Sequence, residues 1–177
     1  SPKVQALVTD LSSVLRTDPS VKAVVFSQFR KCLDETCSAL AAAGIRCAQL
    51  SEASSLSLRN GTLEQFNSAG GPSVLLITTR AGGVGLSLTA ASRVYMMDLW
   101  WNSAVDEQAM DRVHRVGQRR PVTVIRYLCN NSIEQSILEM QERKEWLGKA
   151  ALQRLGPEDM RKIRLGQLRR LFTTRGQ

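Results

Sequence analysis

The 177-residue sequence predicts an α/β fold: a central, mostly parallel sheet with helices on both faces. Three observations lead there. Short β-branched runs alternate with stretches of helical period, which is the pattern of βαβ units. The runs are apolar at successive positions, as in strands buried on both sides. With 43% hydrophobic residues, the chain has enough apolar surface for one domain with a proper core.

The elements follow in order. Val4, Leu7, Val8, Leu11, Val14 and Leu15 recur at helical spacing from Pro2 to Arg16, and Thr17–Ser20 has turn chemistry. Ala23–Phe26 reads as a first strand, with Ser27 and Gln28 at its end. A helix is expected from Phe29 to Ala43, stopped by Gly44. Ile45–Leu50 is the second strand. A serine-rich loop leads to a helix ending near Phe66, weakened by Gly61. Ala69-Gly70-Gly71-Pro72 breaks the chain before a third strand at Val74–Ile77. Arg93–Met97 is the fourth strand. Ser103-x-x-Asp106 is a capping signal for a helix over 104–115. Pro121–Leu128 is the fifth strand. Ser132-x-x-Gln135 caps a long helix carrying Ile133, Ile137, Leu138, Met140, Leu147 and Leu152 along one side. Pro157 opens a last basic helix reaching about Phe172. The expected division is a lobe over 1–130 and bracing helices over 131–177, packed on that lobe.

Composition narrows the function. No apolar run approaches the ~18 residues needed to span a bilayer. The N-terminus reads as an amphipathic helix, not a secretory signal, and the missing initiator Met reads as a piece of a longer protein. Cys32, Cys37, Cys47 and Cys129 form no Cys-x-x-Cys pair, and the single histidine, His114, is distant in sequence, so no metal site is expected. Reduced thiols in an intracellular protein are the simpler reading.

The net charge of +8 is uneven. Residues 1–111 hold 9 Lys/Arg against 10 Asp/Glu, whereas residues 112–177 hold 15 against 6. Such a basic segment fits an anionic partner, DNA or RNA first, and it also fits a solvated helical face.

In an open parallel sheet, ligands bind beyond the carboxyl ends of strands. Those ends carry Ser27-Gln28, the loop after Leu50, Thr78-Thr79-Arg80, and Asp98 with Trp100-Trp101. Gly82-Gly83-Val84-Gly85 is a poor dinucleotide fingerprint, because Leu88 stands where its third glycine would be. The same loop fits a close approach to phosphates or a positive φ. Arg112 and Arg115 lie one turn apart on the expected helix, on a face suited to a triphosphate. They also fit surface pairs with Asp111 and Asp106. No G-x-x-x-x-G-K-[ST] sequence and no Mg²⁺-binding acidic run after a strand occurs, so a nucleotide met by these arginines would be held by another lobe. His114 is given no acid–base role. Core or supporting packing is the reading preferred for Trp100 and Trp101.

Taken together, these segments resemble the second RecA-like lobe of Swi/Snf-type ATPases of helicase superfamily two. VVFSQF (24–29) is similar to that family's motif IV, LLITTRAGGVGLSLTAA (75–91) to motif V, and DEQAMDRVHRVGQ (106–118) to motif VI. DLWWNS (98–103) resembles its D-x-x-W-N-P element, with Trp101 at the Trp as structural support. The likeness covers nearly the whole chain, and the terminal basic helix resembles the branch of the helicase-like transcription factor, post-replication-repair and transcription-termination enzymes.

The resemblance implies a RecA-like three-layer αβα lobe and a set of roles. Arg112 and Arg115 would be catalytic arginine fingers reaching the γ-phosphate, oriented by Gln108 and Asp111. Gly83 and Gly85 would shape the loop between nucleotide and DNA. Ser27, Gln28, Thr78, Thr79 and Arg80 would meet the backbone of double-stranded DNA without sequence specificity. ATP and Mg²⁺ would be held mainly by an N-terminal RecA-like lobe of the same polypeptide. The protein would be a nuclear, DNA-dependent ATP hydrolase that translocates on DNA and remodels protein–DNA complexes. The piece alone would be an inactive monomer. The alternative is a basic nucleic-acid-binding scaffold without motor activity. Two positions depart from the family: Ser51-Glu52 replaces its usual Asp-Gly, and Ser103 its usual Pro.

Overall fold

Ala23–Ser27 (β1) is buried at all five positions and so is Val74–Thr78 (β3), which places both in the middle of a sheet. The computed structural model describes residues 1–81, 86–100, 102–113 and 116–154, without the side chains of 103, 105–107 and 145–154. Gly83, Gly85, Trp101, His114, Arg115 and the expected helix over 157–172 lie outside the described residues. The other strands are β2 (Cys47–Leu50), β4 (Arg93–Met96) and β5 (Thr123–Arg126). Strand order is β2-β3-β1-β4-β5, and every pairing is parallel.

The helices are α1 (Pro2–Thr17), α2 (Arg30–Ala42), α3 (Leu56–Asn67), α4 (Ser103–Met110) and α5 (Ile133–Arg154). The period of two along β1 sorts its side chains into two cores. Ala23 and Val25 pack with Val4, Leu7 and Leu11 of α1 and with Leu33 and Leu40 of α2. Val24 and Phe26 pack on the other side with Phe66 of α3 and Ala109 of α4. The result is the three-layer αβα, RecA-like arrangement.

Several boundaries shift from the sequence reading, each for a local reason. The second strand starts at Cys47, not Ile45, because Ile45 completes the stop of α2. Its N–H reaches Leu40 O at 2.9 Å while Gly44, at φ 73°, donates to Ala41 O at 3.0 Å. The fifth strand forms only over Thr123–Arg126, the length over which β4 offers partners, from Arg93↔Thr123 to Met96↔Arg126. The helix expected over 104–115 ends at Met110. Arg112 N–H then bonds Ala109 O and Val113 N–H bonds Met110 O, a tighter turn of i→i−3 type. Arg112 O accepts from Leu88 N–H at 3.2 Å, and Val113 is drawn into the core.

Contacts divide the chain into residues 1–98 with 104–128, and residues 99–103 with 129–177. The second unit takes in 99–103, which nothing in the local pattern marks as a companion of the C-terminal segment. Within this second unit α5 is capped with a one-residue slip from the expected box. Ser132 Oγ accepts from Glu134 N–H at 3.2 Å, and Gln135 Oε1 accepts from Asn131 N–H at 3.0 Å. Gln141 of α5 donates to Trp100 O.

The Cys37 and Cys47 sulfurs lie 3.0 Å apart as free thiols between α2 and β2. Burial, and then the neighbouring Cys37, push the Cys47 thiol up to about 12. Among the described residues no three His, Cys, Asp or Glu side chains group as metal ligands. No described helix is long and apolar enough to cross a membrane.

Candidate functional site

The strand order puts the carboxyl ends of β3, β1 and β4 side by side. The order of connection switches at β1: the connection after β1 leads to one side of the sheet and the connection after β3 leads to the other. A parallel α/β sheet opens a crevice at such a point. Register aligns Ser27 with Thr78, and Phe26 with Met96. Three of the polar segments picked out in the sequence therefore meet: Ser27-Gln28, Thr78-Thr79-Arg80 and Asp98.

At the centre is Ser27, only 1% exposed. Its hydroxyl donates to Asp98 Oδ1 at 2.6 Å and accepts from Phe29 N–H at 3.0 Å. Its carbonyl accepts from Thr79 N–H at 3.0 Å. Gln28 N–H donates to the second Asp98 oxygen at 2.8 Å. The Ser27 hydroxyl, expected to meet a phosphate, is therefore engaged inside the protein. Gln28 is half-buried, and Phe29, Arg30 and Lys31 are exposed. Cys32, one turn into α2, lies beside the same groups. Burial pushes its thiol up and the Asp98 charge adds to that, while the Ser27 hydroxyl opposes it.

On the β3 side, Thr78 and Thr79 are buried, and neither hydroxyl has a hydrogen-bond partner among the described residues. A buried hydroxyl without a partner costs about 1–3 kcal/mol. These two lie immediately before Arg80, which is exposed, and the glycine loop.

The residues expected to face a nucleotide are distributed as follows. Gln108 is exposed on α4, Asp111 is exposed just beyond it, and Arg112 is half-buried. The shared helical face proposed for Arg112 and Arg115 is not formed at Arg112, which sits in the turn after α4. The Leu88 N–H···O bond instead holds the main chain of Arg112 against the segment leaving the glycine loop. Gln118 braces the same region, donating to Ala91 O at 2.7 Å and Val113 O at 3.3 Å and accepting from Arg120 N–H at 3.0 Å.

Two residues that hold this region together are not singled out by the sequence. Asp98 was noted as a strand-end polar group but given no task; the signal available was a carboxylate placed two residues past a buried strand. In the sequence Gln118 is the last residue of a motif and no more. A bracing amide has no local signature that would have found it.

The helicase conserved C-terminal domain model matches residues 3–117. Among curated proteins, the chain is 44% identical over 92% of its length to a SWI/SNF-related matrix-associated actin-dependent regulator of chromatin, subfamily A member 3-like 1, of Arabidopsis thaliana. It is 43% identical over 90% of its length to the ATP-dependent helicase rhp16 of Schizosaccharomyces pombe. It is 43% identical over 86% of its length to the DNA repair protein RAD5 of Cryptococcus neoformans. The chain spans 19%, 19% and 13% of these relatives, respectively. The crystal structure of the C-terminal part of the Fun30 ATPase domain superposes with a TM-score of 0.75 at 29% identity, covering 79% of this chain and 45% of that one.

Proposed function

The chain belongs to the helicase conserved C-terminal domain family, in its Swi/Snf-related group, and we propose that it is the C-terminal motor lobe of a DNA-dependent ATPase. In this reading it supplies arginine fingers for ATP hydrolysis and part of a DNA-backbone track. The observation that carries it is the meeting of three strand ends at the switch point, with the Arg112 main chain tied to the exit of the glycine loop. The segment leading into β4 and the arginine turn are joined by that hydrogen bond.

Arg112 and Arg115 are cations suited to an anionic nucleotide, and the described residues hold no carboxylate cluster that would itself hold Mg²⁺. ATP with Mg²⁺ would supply the phosphoryl group, with negative charge on its three equatorial oxygens and on the bridging oxygen of the leaving diphosphate. A guanidinium held near those oxygens lowers the barrier to hydrolysis. The P-loop and metal ligands would come from an N-terminal RecA-like lobe of the same polypeptide. On the DNA side, Gln28 and Arg80 are the outward-facing members of the predicted set. The Thr78 and Thr79 hydroxyls, buried and without partners among the described residues, support a site that takes up polar groups from a ligand. Contacts of this kind read phosphates and not bases. A DNA repair or chromatin role follows from the relatives, and such a role would be exercised in the nucleus.

Arg115→Ala in the full-length protein should lower DNA-stimulated ATP turnover by ~10³-fold while DNA affinity is retained. Steady-state ATPase assays beside a DNA-binding titration check this. Near-normal turnover in that variant would remove the finger assignment. A full-length protein that binds DNA but never hydrolyses ATP in its presence would favour the scaffold reading.

A further inference from the structure

We propose that Asp98 is a positioning residue that locks the Ser27-Gln28 segment into the geometry from which it meets a DNA backbone; the inference rests on the motor-lobe reading. Sheet bonding between β1 and β4 stops at Met97, whose N–H donates to Phe26 O at 3.0 Å. Beyond that point the role of the ladder passes to one side chain. Asp98 accepts the Ser27 hydroxyl with one carboxylate oxygen and the Gln28 N–H with the other. On the far side of β1, Thr79 N–H holds the Ser27 carbonyl. Ser27 is thus secured from both neighbouring strand ends, and the chain leaves it in a single direction toward Gln28, Phe29, Arg30 and Lys31.

A carboxylate is an unexpected group to find beside a track for phosphates, because its charge repels them. Its value there lies in having two acceptor oxygens, which hold a hydroxyl and an amide at once. Ser27 is buried, so water is a poor substitute for the lost acceptor. An asparagine keeps one acceptor oxygen and turns an NH₂ toward a donor. Charge and positioning therefore make opposite predictions. Removing the negative charge alone should tighten DNA binding, whereas loosening Ser27-Gln28 should weaken it.

The test uses Asp98→Asn, Ser27→Ala and the double variant in the full-length protein. ATP turnover is measured against the concentration of mixed-sequence linear double-stranded DNA. Asp98→Asn should raise the half-saturating DNA concentration about tenfold, a larger change than any in turnover at saturating DNA. Ser27→Ala leaves the carboxylate bonded to Gln28 and should give a smaller rise in the same direction. The double variant should be no worse than Asp98→Asn, since both changes break one network. An unchanged or lower half-saturating concentration in Asp98→Asn overturns the inference, as does additivity in the double variant. Should Asp98→Asn fail to fold, Ser27→Ala decides alone, and an unshifted value there overturns it. A wild-type protein that DNA does not stimulate overturns the motor-lobe reading itself, and this inference with it.

Discussion

The two ends of the sheet carry similar cations in different surroundings. At the amino ends, Lys22 donates its ammonium to the carbonyls of Phe66, Ser68 and Pro72, and lies 5.1 Å over the Phe66 ring. Arg46 donates to Gly70 O at 2.9 Å and Gly71 O at 3.3 Å. Arg120 bonds Asp18 at 3.2 Å and Ser20 at 2.8 Å, and the Asp18 carboxyl is held below its ordinary value, by Ser20 first and Arg120 after. These cations are satisfied by the protein itself and hold the loop before β3 and the turn before β1. At the carboxyl ends, Arg80 is exposed beside hydroxyls that lack protein partners among the described residues. What separates these cations is who supplies the acceptors: the protein itself at the amino ends, and, in the proposed reading, a DNA backbone at Arg80.

That contrast can be broken most forcefully at the amino end. A Cβ on Gly71 would lie 1.7 Å from the Gln65 carbonyl oxygen, so main chain must move. Gly71→Ala should lower stability by about 2–3 kcal/mol, read by urea denaturation of the chain. A stability equal to wild type would show that the loop is not held as described. Next in size, Lys22→Met strips the acceptors of the same loop of their shared donor and should cost about 1–2 kcal/mol. DNA affinity should stay at the wild-type value, and a marked loss of it would erase the distinction between the two ends.

The smallest effect is expected at Arg80. Arg80→Gln should leave the melting temperature unchanged, weaken DNA binding about fivefold and reduce the salt slope by about 1. Titrations of the full-length protein at several salt concentrations measure both. A stability loss with unaltered affinity would move Arg80 into the structural class.

Much of the lobe was legible because its signals are local. Helical spacing in α1, apolar runs at β1 and β3, and Gly44 as the stop of α2 each act within a few residues. The helix expected through residue 115 fails for a non-local reason: Leu88 N–H takes the Arg112 carbonyl, and Val113 turns into the core. Periodicity continues past Met110, but the bonds at Arg112 and Val113 are i→i−3 and not i→i−4. The strand-end residues were found from residue type and position, yet their division into inward and outward groups was not. Ser27 looks as available as Gln28 until Asp98 is seen beside it.

The amino-acid sequence alone determined the alternation of strands and helices, the parallel α/β class and the motifs that define the family, since each depends on neighbours in the chain. Tertiary structure alone decided the order β2-β3-β1-β4-β5 and, through it, which polar groups meet. Ser27 and Asp98 are 71 residues apart, and Lys22 and Pro72 are 50. Whether a hydroxyl or an ammonium faces a ligand or a carbonyl is settled by groups that only the folded sheet brings within 3–4 Å, and no window of sequence contains both partners.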